Sequence, residues 1–143
     1  MFFFNPHSQV VLITGGNGQH DDLTSSEIYD PSTQTSCLLP NFTNWRTGHS
    51  QDGPLLCGGG QAFSDDDNTL MTCTTWSQGT WNVSHHLTFR RQNHISWSPA
   101  SGAGTYLMGG KKSQNYPDPI QKTEIVRPDG TVEQGFDLAS QIR

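Results

Sequence analysis

Three short apolar runs interrupt an otherwise polar chain, and each stops at a pair of glycines. They are VVLITGG (Val10 to Gly16), PLLCGGG (Pro54 to Gly60) and TYLMGG (Thr105 to Gly110). Runs this short are below ordinary helix length and fit buried strands. A glycine pair directly after such a strand marks a turn needing positive φ or close backbone approach. With Gly15, Gly58 and Gly109 as the first glycine of each pair, the offsets are 43 and 51 residues. Recurrence on that scale is the mark of a repeat architecture.

Two further elements recur with the apolar-glycine strand. WRTGHS (Trp45 to Ser50) and RRQNHIS (Arg90 to Ser96) both place an arginine, two residues, then a histidine ahead of the strand: Arg46 with His49, and Arg91 with His94. After each glycine pair and a variable polar loop comes a strand, a tight turn and a second strand. These are SSEIYDPSTQTSCLLP (Ser25 to Pro40), MTCTTWSQGTWNVSHHL (Met71 to Leu87) and KTEIVRPDGTVEQGFDL (Lys122 to Leu138), with turns at DPST, SQGT and RPDG. Such turns join antiparallel neighbours. The outer two share Glu-Ile-x-x-Pro, starting at Glu27 and Glu124. The first unit shows no lead-in strand, since only MFFFNPHSQ precedes it.

Units of about four strands with a period near 50 residues predict an all-β chain built of propeller blades. The chain resembles the kelch-repeat family, in which a glycine doublet ends the second strand of a blade. In that family a tyrosine-like position follows on the third strand and a tryptophan-like position on the fourth. Tyr29 and Trp81 match those places, and Val126 and Val132 stand in for them in the third unit. The resemblance runs from about Val10 to Leu138 and implies three blades near residues 10–40, 45–87 and 90–138. Propellers close with about four to eight blades, so the resemblance implies part of a propeller, needing further blades or self-association to close. It also implies that the strands carrying Cys57 and Cys73 are antiparallel neighbours whose facing ends lie within disulfide reach. Cys37 is then left without a mate.

Composition supports the strand-and-turn picture and narrows the partners. Gly 15 and Pro 8 are frequent, while hydrophobic residues make up 31% and charged residues 15% of 143 positions. Net charge is −5 and the eight Lys and Arg are scattered, whereas a nucleic-acid surface needs clustered positive charge. No run approaches the roughly 20 apolar residues of a spanning helix. The opening MFFF lacks the length and basic flank of a signal peptide. Sequons at Asn41-Phe42-Thr43 and Asn82-Val83-Ser84 arise readily in a Ser/Thr-rich chain. Together with cysteines at strand positions they point to an oxidising, extracellular setting.

Candidate chemistry is sparse. GGNG and CGGG invite a phosphate site, but polar loops follow them where such a site requires a helix. His49 and His94 are equivalent positions, and each is expected to bond a neighbouring blade or its own loop. Alternation sends His85 and His86 to opposite faces, which disfavours a shared metal ion. Asp21-Asp22 and Asp65-Asp66-Asp67 lack an ordered calcium-ligand spacing. Galactose oxidase is built on this type of propeller, with a copper site of tyrosines, one crosslinked to a cysteine, and histidines. Tyr29, Tyr106 and Tyr116 show no such motif. The expectation is therefore a non-catalytic extracellular binding module without a cofactor. It presents the loops Asn17–Thr24, Gln61–Thr69 and Lys111–Gln121 to a protein or glycan. Alternatives are a non-catalytic portion of a galactose-oxidase-like copper enzyme, or an intracellular kelch adaptor for ubiquitin ligation.

Overall fold

A computed structural model describes residues 10–18, 23–61, 68–112 and 119–139, together with the backbone of 2–5. The chain is all-β, with three four-stranded antiparallel sheets. The first comprises β1 (Phe2–Asn5), β2 (Val10–Thr14), β3 (Ser26–Asp30) and β4 (Thr35–Leu39). The second comprises β5 (Ser50–Asp52), β6 (Leu55–Cys57), β7 (Thr72–Ser77) and β8 (Thr80–His86). The third comprises β9 (Ile95–Trp97), β10 (Thr105–Met108), β11 (Lys122–Val126) and β12 (Val132–Asp137). Within each sheet the strands follow chain order, so each is a plain meander. No helix among the described residues is long and apolar enough to cross a membrane.

One expectation is corrected here. The first unit does have a lead-in strand: β1 pairs with β2 from Phe2↔Ile13 to Asn5↔Val10, so this sheet starts at Phe2 and not at Val10. Three successive phenylalanines carry no alternation, so period-2 patterning misses them. Pairing with Val10–Ile13 makes them a strand. The second sheet spans Ser50 to His86 and the third Ile95 to Asp137.

The turns follow from local chemistry. Asp30 Oδ1 accepts from Ser32 N at 2.8 Å and Ser32 Oγ at 2.7 Å, and Asp129 Oδ1 does the same for Thr131 at 2.9 and 2.7 Å. These are Asx turns, in which a side chain closes the bend. Gln78 and Gly79 both have positive φ (52° and 79°) between the paired Ser77 and Thr80. Two such residues make the primed hairpin turn that matches strand twist.

Alternation along the strands builds two cores, one between each pair of successive sheets. Phe42, Leu56 and Trp81 pack with Leu12, Leu39 and Trp76 between the first and second. Phe42 and Trp76 meet the Trp81 ring edge-on at centroid distances of 6.0 and 5.2 Å. Trp81 Nε1 donates to Ser26 Oγ across the gap at 2.9 Å. Cys57, Cys73, Leu87, Leu107 and Val126 form the second core, flanked by Leu55 and Val132. β6 thus sends Leu56 one way and Cys57 the other, as period-2 geometry requires. β5 lies against both β1 and β9, so the first strands stand side by side where the sheets meet.

Candidate functional site

The recurring arginines are internal struts. Arg46 is buried and donates to the carbonyl oxygens of Gly58 (2.6 Å) and Thr72 (3.0 Å) and to the hydroxyls of Thr72 (3.0 Å) and Thr74 (2.7 Å). Arg91, also buried, donates to the carbonyl oxygens of Leu107 (3.4 Å), Gly109 (3.2 Å) and Lys122 (3.0 Å). It also forms an ion pair with Glu124 at 2.9 Å, with both side chains fully enclosed. Register makes these two sets equivalent, because Leu56↔Thr74 matches Leu107↔Glu124. A planar fork of five N–H donors can satisfy several carbonyls at once, which a lysine cannot. Burial lowers the pKa of Arg46 to about 10, so it remains charged at neutral pH.

The histidines tie each sheet to the one before it. His49 Nε2 lies 3.0 Å from Thr14 Oγ1 of the first sheet, and His94 Nε2 lies 2.8 Å from Ser50 Oγ of the second. Both imidazoles bond a neighbouring unit, as expected from the sequence. Burial pushes the pKa of each down to about 3, so both are neutral at physiological pH. The glycine pairs complete the joint. Gly16 N donates to Arg46 O and Gly59 N to Arg91 O, each at 2.9 Å. Gly58, at φ 61°, has no room for a side chain: a Cβ there would collide with Arg91 O and sit 2.8 Å from His94 Cε1. The residue before each histidine is left-handed too, Gly48 at φ 63° and Asn93 at φ 54°. Sequence reasoning missed Thr14, Ser50 and Glu124 as partners, although Glu124 lies in the shared Glu-Ile-x-x-Pro pattern.

Cys57 and Cys73 are paired register partners and form a disulfide, with Cα atoms 4.1 Å apart. Cys37 is free and exposed on β4. Closing a loop of 16 residues removes about 3 kcal/mol of unfolded-state entropy. The double variant Cys57→Ala/Cys73→Ala is therefore expected to lose about that much in urea denaturation. Cys37→Ser should stay within about 0.5 kcal/mol of the parent. Equal stability of all three proteins contradicts a structural clasp.

Tyr29 is half-buried on β3 and Trp81 buried on β8, the third and fourth strands of their sheets. Asn41 and Asn82 are both exposed. His85 bonds Ser84 Oγ (2.8 Å) and Arg127 O (2.9 Å) while His86 is exposed, so the two rings do not converge. Asp21, Asp22, Asp65, Asp66, Asp67 and Tyr116 lie outside the described residues. Among those described, no group of three or more His, Cys, Asp or Glu is placed to hold a metal ion.

A groove opens at the glycine-pair end of the fold. Residues preceding the strut arginines alternate outward: Trp45 is 51% exposed and Arg90 is exposed. Between them lies a groove of about 250 Å³ lined by Asn44, Gln61, Asn68, Thr69 and Leu70. Asn68 Nδ2 reaches Gln61 Oε1 at 3.3 Å and Arg90 Nη1 donates to Thr69 O at 3.0 Å. An indole face flanked by amides and a guanidinium can stack on a planar or C–H-rich ligand while bonding its polar rim. Neither a protein-family model nor a curated protein matches this chain.

Proposed function

We propose that the protein is a non-catalytic, extracellular binding module built as part of a kelch-type propeller. It presents the loops at its glycine-pair end to a protein or glycan partner, with Asn41 and Asn82 as glycosylation sites. Further blades, from another segment or another chain, complete the propeller. The groove between Trp45 and Arg90 carries the functional half of this proposal. It exposes a large aromatic among paired polar groups at the glycine-pair end, and such a composition favours recognition. The architectural half is supported by the ordered four-stranded meanders, the adjacent first strands and the repeated Arg–His joint. The Arg46 and Arg91 side chains brace their own sheets, the latter through Glu124, and His49 and His94 bond the preceding sheet, which favours a scaffold role for all five over chemistry.

The two ends of the fold allow a direct test. Immobilised full-length protein is used to capture partners from extracellular fluid, then compared with two variants. One carries Trp45→Ala and Asn68→Ala at the glycine-pair end. The other carries Ser32→Ala and Thr131→Ala at the opposite turns. Capture is expected to fall at least about tenfold in the first and to stay unchanged in the second, since a central aromatic anchor typically contributes about 2 kcal/mol or more. Capture that survives the first pair and fails with the second overturns the assignment of the binding end.

A further inference from the structure

The last strand of each meander, β4, β8 or β12, is paired on one side, and its other edge meets no strand among the described residues. An open edge is a template on which a second chain can pair, and charged side chains are the usual device against it. The three edges differ in that device. β12 (VEQGFD) carries Glu133 and Asp137, both exposed and ion-paired, to Arg127 at 2.8 Å and to Lys122 at 2.6 Å. β4 (TSCLL) and β8 (TWNVSHH) carry no Asp, Glu, Lys or Arg. Each of these two also displays an apolar side chain, Leu38 at 78% exposure and Val83 at 50%.

The two sequons fall on the same two edges. Asn82 lies in the middle of β8, and Asn41 follows the end of β4 by two residues. In both sequons the asparagine and the hydroxyl residue two places on, Thr43 or Ser84, are exposed. The third sheet, whose edge is charged, contains no sequon. The edges that lack charge and the edges that carry a sequon are thus the same pair.

We propose that N-linked glycans on Asn41 and Asn82 are edge guards, which keep β4 and β8 from pairing with the edge strands of a second copy of this chain. The inference rests on the glycosylation reading above and gives those two sites a role. A glycan is bulky and hydrated. Attached on an edge strand, it holds another strand beyond the roughly 4.8 Å at which backbone groups pair. On β12 the carboxylates supply the same exclusion by charge. Thr80, Trp81 and Val83 favour extended structure, so β8 is the edge that most requires such a guard.

The test uses the full chain secreted from a eukaryotic cell. Peptide mass spectrometry reads the occupancy of Asn41 and Asn82, and sedimentation velocity reads the association state. The glycans are removed by two routes: Asn41→Gln/Asn82→Gln, and endoglycosidase trimming of the folded glycoprotein, which acts after folding is complete. The glycoprotein is expected to be monomeric, and both deglycosylated forms are expected to lose the monomer at the same concentration. Adding Leu38→Lys and Val83→Lys to the glutamine variant should restore the monomer, because a charge on each edge then replaces the glycan. Amide hydrogen exchange should slow in β4 and β8 of the associated form and stay unchanged in β12. The proposal is overturned if the protein deglycosylated by either route stays folded and monomeric. It is equally overturned if the lysines fail to restore the monomer, or if the new protection lies outside the two edges. Unoccupied sequons overturn both this proposal and the glycosylation reading, whereas occupied sequons with unchanged association overturn this proposal alone. Partner capture at the Trp45 groove is scored separately.

Discussion

Arg91→Ala should destabilise the protein by about 3–5 kcal/mol, the cost of stranding one member of a fully buried ion pair. Glu124 is 0% exposed; without Arg91 the partner its carboxylate keeps among the described residues is the Thr88 N–H, at 2.5 Å. The carbonyls of Leu107, Gly109 and Lys122 lose their donor as well. Such a loss is a large share of the roughly 5–15 kcal/mol that holds a domain folded. Arg46→Ala should cost less, because the groups it orphans are neutral hydroxyls and carbonyls, whose penalty is about 1–3 kcal/mol. Urea denaturation at pH 7 of the two variants decides the matter. Equal losses would show that the Glu124 charge plays no special part.

The second large effect is on acid stability. His49 and His94 have folded pKa values near 3, against an ordinary histidine value of about 6.5, and burial is the main cause for both. Above about pH 6.5 both histidines are neutral whether the chain is folded or not, and stability is fully present. Between about pH 6.5 and 3 the unfolded chain binds two protons that the folded chain refuses. Stability therefore falls with decreasing pH, approaching a slope of about 2.7 kcal/mol per pH unit when both sites are protonated in the unfolded chain. Asp30 and Asp129, held below the usual carboxylate range by Ser32 and Thr131, act in the same direction at lower pH. The measurement is the urea midpoint from pH 8 to pH 4, compared with His49→Gln/His94→Gln. The double variant should be less stable at pH 7 but show a flatter profile. Parallel profiles would exclude the histidines as the source.

These effects share one origin. Each sheet joins the next through a short turn that carries two polar side chains inward. The arginine binds its own sheet, while the histidine and the arginine carbonyl bind the previous one. Polar atoms at such a seam leave water only if every donor finds an acceptor. Arg46 Nε and the Nδ1 atoms of His49 and His94 are the buried side-chain atoms among the described residues that find no protein partner. The seam is thus closely but incompletely satisfied.

Sequence alone determined the all-β class, the three repeated units and the antiparallel hairpins, whereas the Cys57–Cys73 pairing was implied by the family resemblance. Those features depend on alternation, on glycine and Asx turn chemistry, and on neighbours joined by short loops, all local properties of the chain. It also marked Arg46, His49, Arg91 and His94 as equivalent, because repetition is visible without coordinates. Only the tertiary structure decided what those residues touch. His49 meets Thr14 and Arg91 meets Glu124 across 35 and 33 residues, and no periodicity encodes which face meets which. The same holds for β1, whose three phenylalanines become a strand only through pairing with β2. Local patterns specify the strands, and packing between distant segments specifies which polar groups are engaged.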